Sequence, residues 1–243
     1  MRLRFLGILI FWLLWLPVLS QEKGATATHL RILAVGDESR RPLGVGDDNF
    51  LPDFVTMPVG DGQIKTIPLA LNKLTPQVKI DDDFSPVFLF AGQQVAERPW
   101  QELDVVGGTT SLVVLSRRLD VEKRTWSKVT AQWVEDSVLH FPEKAVRVVN
   151  ASDDTVLIRI ADEKAFVMEP RTSKIRKLEE GCSNFLIGQR GVAKKIRRIF
   201  ENSLEMGKGM RMTIVIHQSD AKEAHGVSRV RVFSEQVPLV FKK

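Results

Sequence analysis

The sequence is poor in cysteine and contains no tyrosine. Its single cysteine is Cys182, so an intrachain disulfide is excluded, and the fold has to be stabilised by burial of the apolar side chains that make up 44% of the chain. We expect Cys182 to be buried and inert. Trp126 and Trp133 are seven residues apart, which places them on opposite faces of a regular strand. With tyrosine absent, this spacing argues against a sugar-stacking surface and puts at least one tryptophan in the core.

Familiar catalytic motifs are also missing from the sequence. There is no signature of a hydrolase triad, no zinc-protease helix motif, no phosphate-binding loop and no redox cysteine pair. The chain has thirty-five Lys and Arg residues and thirty Asp and Glu residues. This small basic excess argues against a nucleic-acid binder, which usually has a concentrated basic surface. We therefore expect a non-enzymatic protein that needs no cofactor and binds no nucleic acid.

The first twenty residues have the pattern of a secretory signal. Arg2 and Arg4 precede an apolar run from Phe5 to Leu16, and the small residue Ser20 stands before Gln21. The apolar run is shorter than the ~20 residues that a membrane-spanning helix needs. We predict cleavage after Ser20, a secreted or periplasmic protein, and no transmembrane segment in the mature chain.

Short apolar runs separated by turn residues dominate the rest of the chain, and this spacing favours an all-β fold. Residues 156–160 and 227–233 alternate between apolar and polar side chains, which predicts strands with one buried face. Leu112–Leu115 and Thr213–Ile216 are continuously apolar and rich in β-branched residues, which predicts central strands buried on both faces.

Glycine-rich turns separate several of these strands. Gly60-Asp61-Gly62, Gly107-Gly108 and Gly207-Lys208-Gly209 each stand between two strand-like runs. Glycine tolerates the positive φ of tight turns, so each segment predicts a hairpin. Pro68 cannot donate a ladder hydrogen bond and predicts an edge strand or a bulge.

The order of strands and turns recurs once along the chain. One pass runs from Ile67 to Val134 and begins with Ile67–Leu71; the other runs from Val146 to Phe233 and begins with Val146–Asn150. The continuous apolar runs Leu112–Leu115 and Thr213–Ile216 take the same place in the two passes. We predict a signal peptide over residues 1–20 and two tandem antiparallel β-sandwich domains, residues 28–138 and 139–243. A single larger composite domain is the alternative.

Residues 192–206 fit two kinds of secondary structure. Apolar side chains at Val192, Ile196, Ile199, Phe200 and Leu204 have helical spacing. The internal repeat places a strand in the same segment. We favour a strand over residues 199–206 and keep a short helix as the alternative.

The start of the second half resembles a known group of proteins. Phe141-Pro142, the segment Arg147-Val148-Val149-Asn150-Ala151-Ser152 and the turn Pro170-Arg171-Thr172-Ser173 resemble a pattern found in uncharacterised exported bacterial β-sandwich proteins. The resemblance covers the second half only, and its motifs mark strand ends and turns. It implies a β-sandwich fold and export, and it implies no function.

Three polar residues form a candidate metal site. His217, Asp220 and His225 fall in one predicted loop, between the last two predicted strands. Three such ligands could hold a divalent metal ion and leave an open position for water. Their spacing matches no compact metal motif, and a solvated loop is the simpler interpretation.

The densest basic segment of the chain is residues 190–198, which could attract an anionic ligand. An edge strand that uses positive charge to avoid pairing with other strands is an equally good interpretation. Strand spacing would place Arg197 and Arg198 on opposite faces. The candidate ligand-binding residues are Arg190, Lys194, Lys195, Arg197 and Arg198.

These observations lead to three functional hypotheses. The first is an exported, non-enzymatic β-sandwich protein that is a structural or binding module of the cell envelope, with an envelope protein or an anionic polymer as its partner. The second is an envelope protein that binds an anionic ligand through residues 190–198. The third is a metal-dependent hydrolase that uses His217, Asp220 and His225.

Overall fold

The structure is a computed structural model that describes residues 28–37, 50–81, 85–104, 107–117, 126–190, 195–219 and 227–237. These residues form sixteen strands and no helix, so the predicted all-β fold is confirmed. Accordingly, the described segments include no helix able to cross a membrane. The predicted signal sequence and its cleavage site lie outside the described residues.

The first eight strands build one sandwich from two four-stranded sheets. The inner sheet has the order β4-β1-β7-β8 and the outer sheet the order β3-β2-β5-β6. Strands β1 and β7 pair in parallel, and the other neighbours are antiparallel. The strands are β1 Thr28–Val35, β2 Phe54–Gly60, β3 Gln63–Pro68, β4 Val78–Ile80, β5 Val87–Ala91, β6 Gln101–Leu103, β7 Thr110–Arg117 and β8 Val129–Glu135.

The last eight strands repeat this topology, each eight positions after its counterpart. The inner sheet has the order β12-β9-β15-β16 and the outer sheet the order β11-β10-β13-β14, and β9 again pairs in parallel with β15. Two tandem sandwiches are therefore confirmed, with one parallel pair in each that the sequence did not predict. The strands are β9 Ala145–Asn150, β10 Val156–Ile160, β11 Phe166–Met168, β12 Thr172–Lys177, β13 Gly181–Arg190, β14 Ile196–Met206, β15 Met210–Gln218 and β16 Ser228–Gln236.

The repeat that the sequence predicts is correct at its end and wrong at its start. It matches Leu112–Leu115 with Thr213–Ile216, and these lie in the equivalent strands β7 and β15. It also matches Ile67–Leu71 with Val146–Asn150, but β9 is equivalent to β1 and not to β3. Both β1 and β9 pair in parallel with a distant strand, and this long-range pairing leaves no local mark in the sequence.

Of the three predicted glycine hairpins, one is confirmed and two are wrong. Gly60 and Gly62, both with positive φ, connect the antiparallel pair β2 and β3. The segments at Gly108 and Gly209, also with positive φ, instead carry the chain from the outer sheet to the inner sheet, because β6 and β14 do not pair with β7 and β15. Pro68 ends β3, an edge strand, as predicted.

The two sandwiches pack against each other through their inner sheets. Each has its own apolar core, and a third buried cluster joins residues such as Leu112 and Val114 of the first sandwich to Val149 and Val215 of the second. The four sheets therefore form four layers, and each inner sheet is covered on both faces. This explains the continuous apolar runs in β7 and β15 and confirms that prediction.

The segment with helical spacing is the strand β14. The pairing of β13 with β14 shifts by one residue between Ile187 and Gly188, as at a β-bulge. Consecutive residues Ile199 and Phe200 consequently both pack against the core of the second sandwich. The bulge explains the adjacent apolar residues Ile199 and Phe200, whereas Ile196 of the same pattern lies exposed on the solvent face.

Two further expectations concern single side chains. Trp126 is buried and Trp133 is partly buried against the first core, so the prediction that at least one of them lies in the core is confirmed. Cys182 is exposed, so the expectation of a buried thiol is wrong. It is the second residue of β13 and pairs with Glu205 of the edge strand β14, outside the core cluster of this sandwich.

Candidate functional site

The predicted basic residues lie at one edge of the outer sheet of the second sandwich, but they do not form one face. Paired residues of neighbouring strands share a face of the sheet. Arg190 pairs with Ile196 and Gly188 pairs with Arg198, which places both arginines on the solvent face. Arg197 pairs with Gln189 and belongs to the opposite face.

The other two predicted ligand-binding residues add little to this face. Lys195 is exposed immediately before β14, and Lys194 lies outside the described residues. Of the five residues predicted from the sequence, the structure therefore brings together Arg190 and Arg198. We call the solvent side of this sheet the outer face.

An apolar strip crosses the outer face. Ile196 is 56% exposed and Val167 is 49% exposed. A Cβ atom on Gly188 would lie 2.4 Å from the Cγ2 atom of Ile196, so the glycine makes room for this side chain above β13. Ile196 and Val167 line a shallow groove together with Thr155, Val156, Leu157 and Arg190.

A second, more polar groove lies beside the apolar strip. It is lined by Arg159, Asn184, Phe185, Leu186, Glu201, Asn202 and Ser203. Arg159 pairs with Leu186 on the outer face, and Arg198 forms an ion pair with Glu201. The sequence did not single out Arg159 as a site residue, although its outward position follows from the alternation in Val156–Ile160.

The outer face therefore combines apolar surface with an excess of positive charge. It carries the guanidinium groups of Arg159, Arg190 and Arg198 and the carboxylates of Glu201 and Glu205. Guanidinium groups bind carboxylate, phosphate and sulfate groups through charge-assisted hydrogen bonds. The chemistry of this face suits a ligand that has both anionic and apolar groups.

The motif behind the family resemblance has a structural role. The Asn150 side-chain amide donates hydrogen bonds to the carbonyl oxygens of Asp154 at 2.8 Å and Glu169 at 3.0 Å. The Ser152 hydroxyl donates to Asn150 Oδ1 at 2.7 Å. Both side chains are fully buried. They fasten the loop after β9 to the turn before β12.

The strongest charge cluster lies between the two sandwiches. Arg31 of β1 donates from Nε to Asp136 Oδ2 at 2.8 Å and from Nη2 to Glu235 Oε1 at 3.0 Å. Arg147 of β9 forms an ion pair with Asp136 at 2.9 Å, and Arg211 of β15 donates to Glu235 at 3.1 Å. We call these five residues the inter-sandwich charge cluster.

Burial determines the electrostatics of this cluster. It lowers the pKa of Arg147 from its ordinary value to about 10, against the opposing effect of Asp136. Burial would raise the pKa of Glu235, but hydrogen bonds and charges from Arg31 and Arg211 outweigh it, so this pKa is lowered. The Phe141 ring lies 4.2 Å from the Arg147 guanidinium and 4.7 Å from that of Arg211. The sequence did not reveal this cluster, because its members come from distant segments.

The candidate metal ligands are only partly described. His217 is a buried residue of β15, and its Nδ1 atom lies 3.0 Å from the Gln218 carbonyl oxygen. Asp220 and His225 lie outside the described residues. Within the described ranges, no group of three or more His, Cys, Asp or Glu residues is arranged to hold a metal ion.

The comparisons with known proteins identify no family. No family model matches the chain, and no curated protein matches it. A solved structure of a DUF3823 family protein from Bacteroides ovatus ATCC 8483 is 11% identical, with a TM-score of 0.18, over 74% of this chain and 100% of that chain. A similarity this low carries no argument about fold or function. The resemblance of the second half to exported bacterial β-sandwich proteins therefore implies export only as a prediction.

Proposed function

We propose that this protein is an exported, non-enzymatic component of the cell envelope that acts as a structural or binding module. The observation that carries the proposal is the buried junction between the two sandwiches. An apolar cluster and five charged side chains join the inner sheets, so the repeated units form one four-layer body. Such a body presents two outer sheets at a fixed separation, as a spacer or binding module requires. The signal-like first twenty residues support export.

The test of export is fractionation of a bacterial host that expresses the full chain. We expect the protein in the periplasmic or secreted fraction, with Gln21 as its first residue by N-terminal sequencing. The matched control is Leu9→Arg with Leu13→Arg, which interrupts the apolar run and should keep the chain in the cytoplasm with its leader intact. Wild-type protein that stays in the cytoplasm and begins at Met1 would contradict the proposal.

The second candidate function is binding of an anionic ligand on the outer face. It is favoured by the arrangement of Arg159, Arg190 and Arg198 around exposed apolar side chains. The probe is heparin, an anionic polymer, and the measurement is its Kd at about 50 and 200 mM salt. Binding should weaken with salt, because neighbouring exposed charges are screened over ~10 Å at 0.1 M.

Variants separate a specific face from a general effect of charge. Arg159→Glu with Arg190→Glu should raise the Kd at least tenfold. The matched control Lys65→Glu with Lys79→Glu reverses two exposed charges on the first sandwich and should leave the Kd within about twofold. An equal loss in both double variants would show that net charge alone attracts the polymer, and this would reject the second candidate.

A further inference from the structure

The groove beside Ile196 combines apolar walls with one cation. Among the described residues that line it, Arg190 is the charged one, and the others are Thr155, Val156, Leu157, Val167 and Ile196. The Thr155 hydroxyl already donates a hydrogen bond to Glu169 Oε2 at 2.9 Å. The groove therefore offers a ligand apolar contact and one guanidinium group, with little else to hold a neutral polar molecule.

The Arg190 guanidinium is available to a ligand. Arg190 is exposed, and within the described part of the chain its side chain forms neither an ion pair nor a hydrogen bond. Arg198 and Arg171, by contrast, are paired with Glu201 and Asp153. An anionic group beside Arg190 would gain a charge-assisted hydrogen bond without breaking an existing ion pair.

The other charges around the groove are mixed, with cations in excess. The Glu169 carboxylate lies beside Thr155. On the other side of the balance, Lys174 donates to the Val167 carbonyl oxygen at 3.4 Å, and Lys195 is exposed next to Ile196. The surroundings of the groove are therefore compatible with an anionic ligand.

Hydrogen bonds hold one wall of the groove in place. The Gln189 amide and the Ser228 hydroxyl donate to the same oxygen of Asp154, Oδ2, at 2.8 and 3.0 Å. The backbone nitrogen of Arg190 donates to the Thr155 carbonyl oxygen at 3.1 Å. The segment that enters β10 is thus fastened to β13 and β16. A wall that is already ordered reduces the entropy lost when a ligand binds.

We propose that this groove binds an aliphatic monocarboxylate, a ligand of the fatty-acid class, with its carboxylate on the Arg190 guanidinium and its chain between Ile196 and Val167. The proposal rests on the second candidate function and names its class of ligand. A guanidinium group matches a carboxylate through two parallel hydrogen bonds, and the chain removes the exposed walls from water. An anionic polysaccharide would leave these walls uncovered and fits the groove less well.

The experiment titrates octanoate into the purified protein and follows the methyl signals of Ile196 and Val167 by NMR. We expect saturable binding of one octanoate per chain, with the largest shifts at these two residues. Butanoate should bind at least about tenfold more weakly, because each methylene that is buried adds to the affinity. Arg190→Gln should weaken octanoate binding at least about fivefold and leave the Kd of the uncharged octanol within about twofold.

Matched variants test the apolar wall and the specificity of the arginine. Ile196→Ser should weaken octanoate and octanol alike, at least about fivefold, because both chains lose the same contact. Its control is Ile64→Ser on the first sandwich, since Ile64 is 55% exposed and Ile196 is 56% exposed. The control for Arg190→Gln is Arg98→Gln, which removes another exposed arginine. Both controls should leave the Kd of octanoate within about twofold.

Several results would overturn the proposal. They are the absence of saturable octanoate binding, shifts that lie away from Ile196 and Val167, and an equal loss of affinity in Arg190→Gln and Arg98→Gln. Heparin binding that depends on Arg159 and Arg190, without octanoate binding, would overturn this proposal and leave the second candidate function standing. Failure of both ligands to bind would reject both.

Discussion

Arg147 and Asp136 form an ion pair at 2.9 Å in which each side chain is 1% exposed. Arg147 lies on the first strand of the second sandwich, and Asp136 directly follows the last strand of the first. The Arg147 guanidinium also donates to the Glu135 carbonyl oxygen at 2.9 Å and to Thr213 Oγ1 at 3.0 Å. The pair thus fixes the connection between the two halves of the repeat.

Replacing Asp136 by Asn should strongly destabilise the protein. The variant leaves the guanidinium groups of Arg31 and Arg147 without their shared carboxylate, and breaking a buried ion pair costs about 3–5 kcal/mol. The measurement is the free energy of unfolding in guanidinium chloride. The control Asp153→Asn breaks the ion pair with Arg171, in which the Asp153 side chain is 61% exposed. This loss should cost less than about 1 kcal/mol of unfolding free energy. Equal losses in the two variants would contradict the role of the cluster.

The carboxylate of Glu235 should make stability depend on pH in the acidic range. Because its pKa is lowered in the folded state, the native state favours the ionised form. This contribution is fully present above the ordinary pKa of 4.5 and is lost as the pH falls through the lowered pKa. The difference in unfolding free energy between wild type and Glu235→Gln should therefore shrink on acidification from about pH 6.5 to pH 3. A difference that stays constant over this range would be the contrary result.

The apolar junction between the sandwiches should contribute to the stability of the protein as a hydrophobic core does. Leu112 is fully buried in the cluster between the inner sheets, and Leu→Ala substitutions in cores cost about 2–5 kcal/mol. The control Leu139→Ala truncates a leucine that is 86% exposed and should change stability by less than about 0.5 kcal/mol. Thermal unfolding measures both. A Leu112→Ala variant as stable as the control would show that the inner sheets do not pack in solution.

The thiol of Cys182 should react in the native protein. It is free and exposed, so Ellman's reagent should titrate one thiol per chain without denaturant. Cys182→Ser should give no signal and should keep the melting temperature within a few degrees, since exposed substitutions change stability by less than about 0.5 kcal/mol. A thiol that reacts only after unfolding would restore the expectation of a buried cysteine.

Local pattern was sufficient to predict the class of fold and many of its strands. Alternating side chains in Val156–Ile160 mark one buried face, and continuous apolar residues in Leu112–Leu115 mark two. Both follow from the two-residue period of a strand, which is a property of the chain itself. The turn at Gly60 follows from the conformational freedom of glycine at positive φ.

The candidate outer face was predicted in part. The basic composition of residues 190–198 is visible in the sequence, but strand register decides which side chains share a face. The register places Arg159 of β10 on the outer face beside Arg190 and Arg198, and it places Arg197 on the opposite face of the sheet. Because of the bulge beside Gly188, the consecutive residues Ile199 and Phe200 both face the core.

By itself, the sequence determined which segments are strands and which of their faces are apolar, because burial period and turn propensity act over a few residues. Only the tertiary structure decided which strands are neighbours and what covers each face. Almost any residue can form the backbone hydrogen bonds between strands, so the parallel pairing of β1 with β7 cannot be recognised from the local sequence of either strand. For the same reason, Arg31, Asp136 and Glu235, which are distant in the chain, become one buried cluster only when the two inner sheets meet.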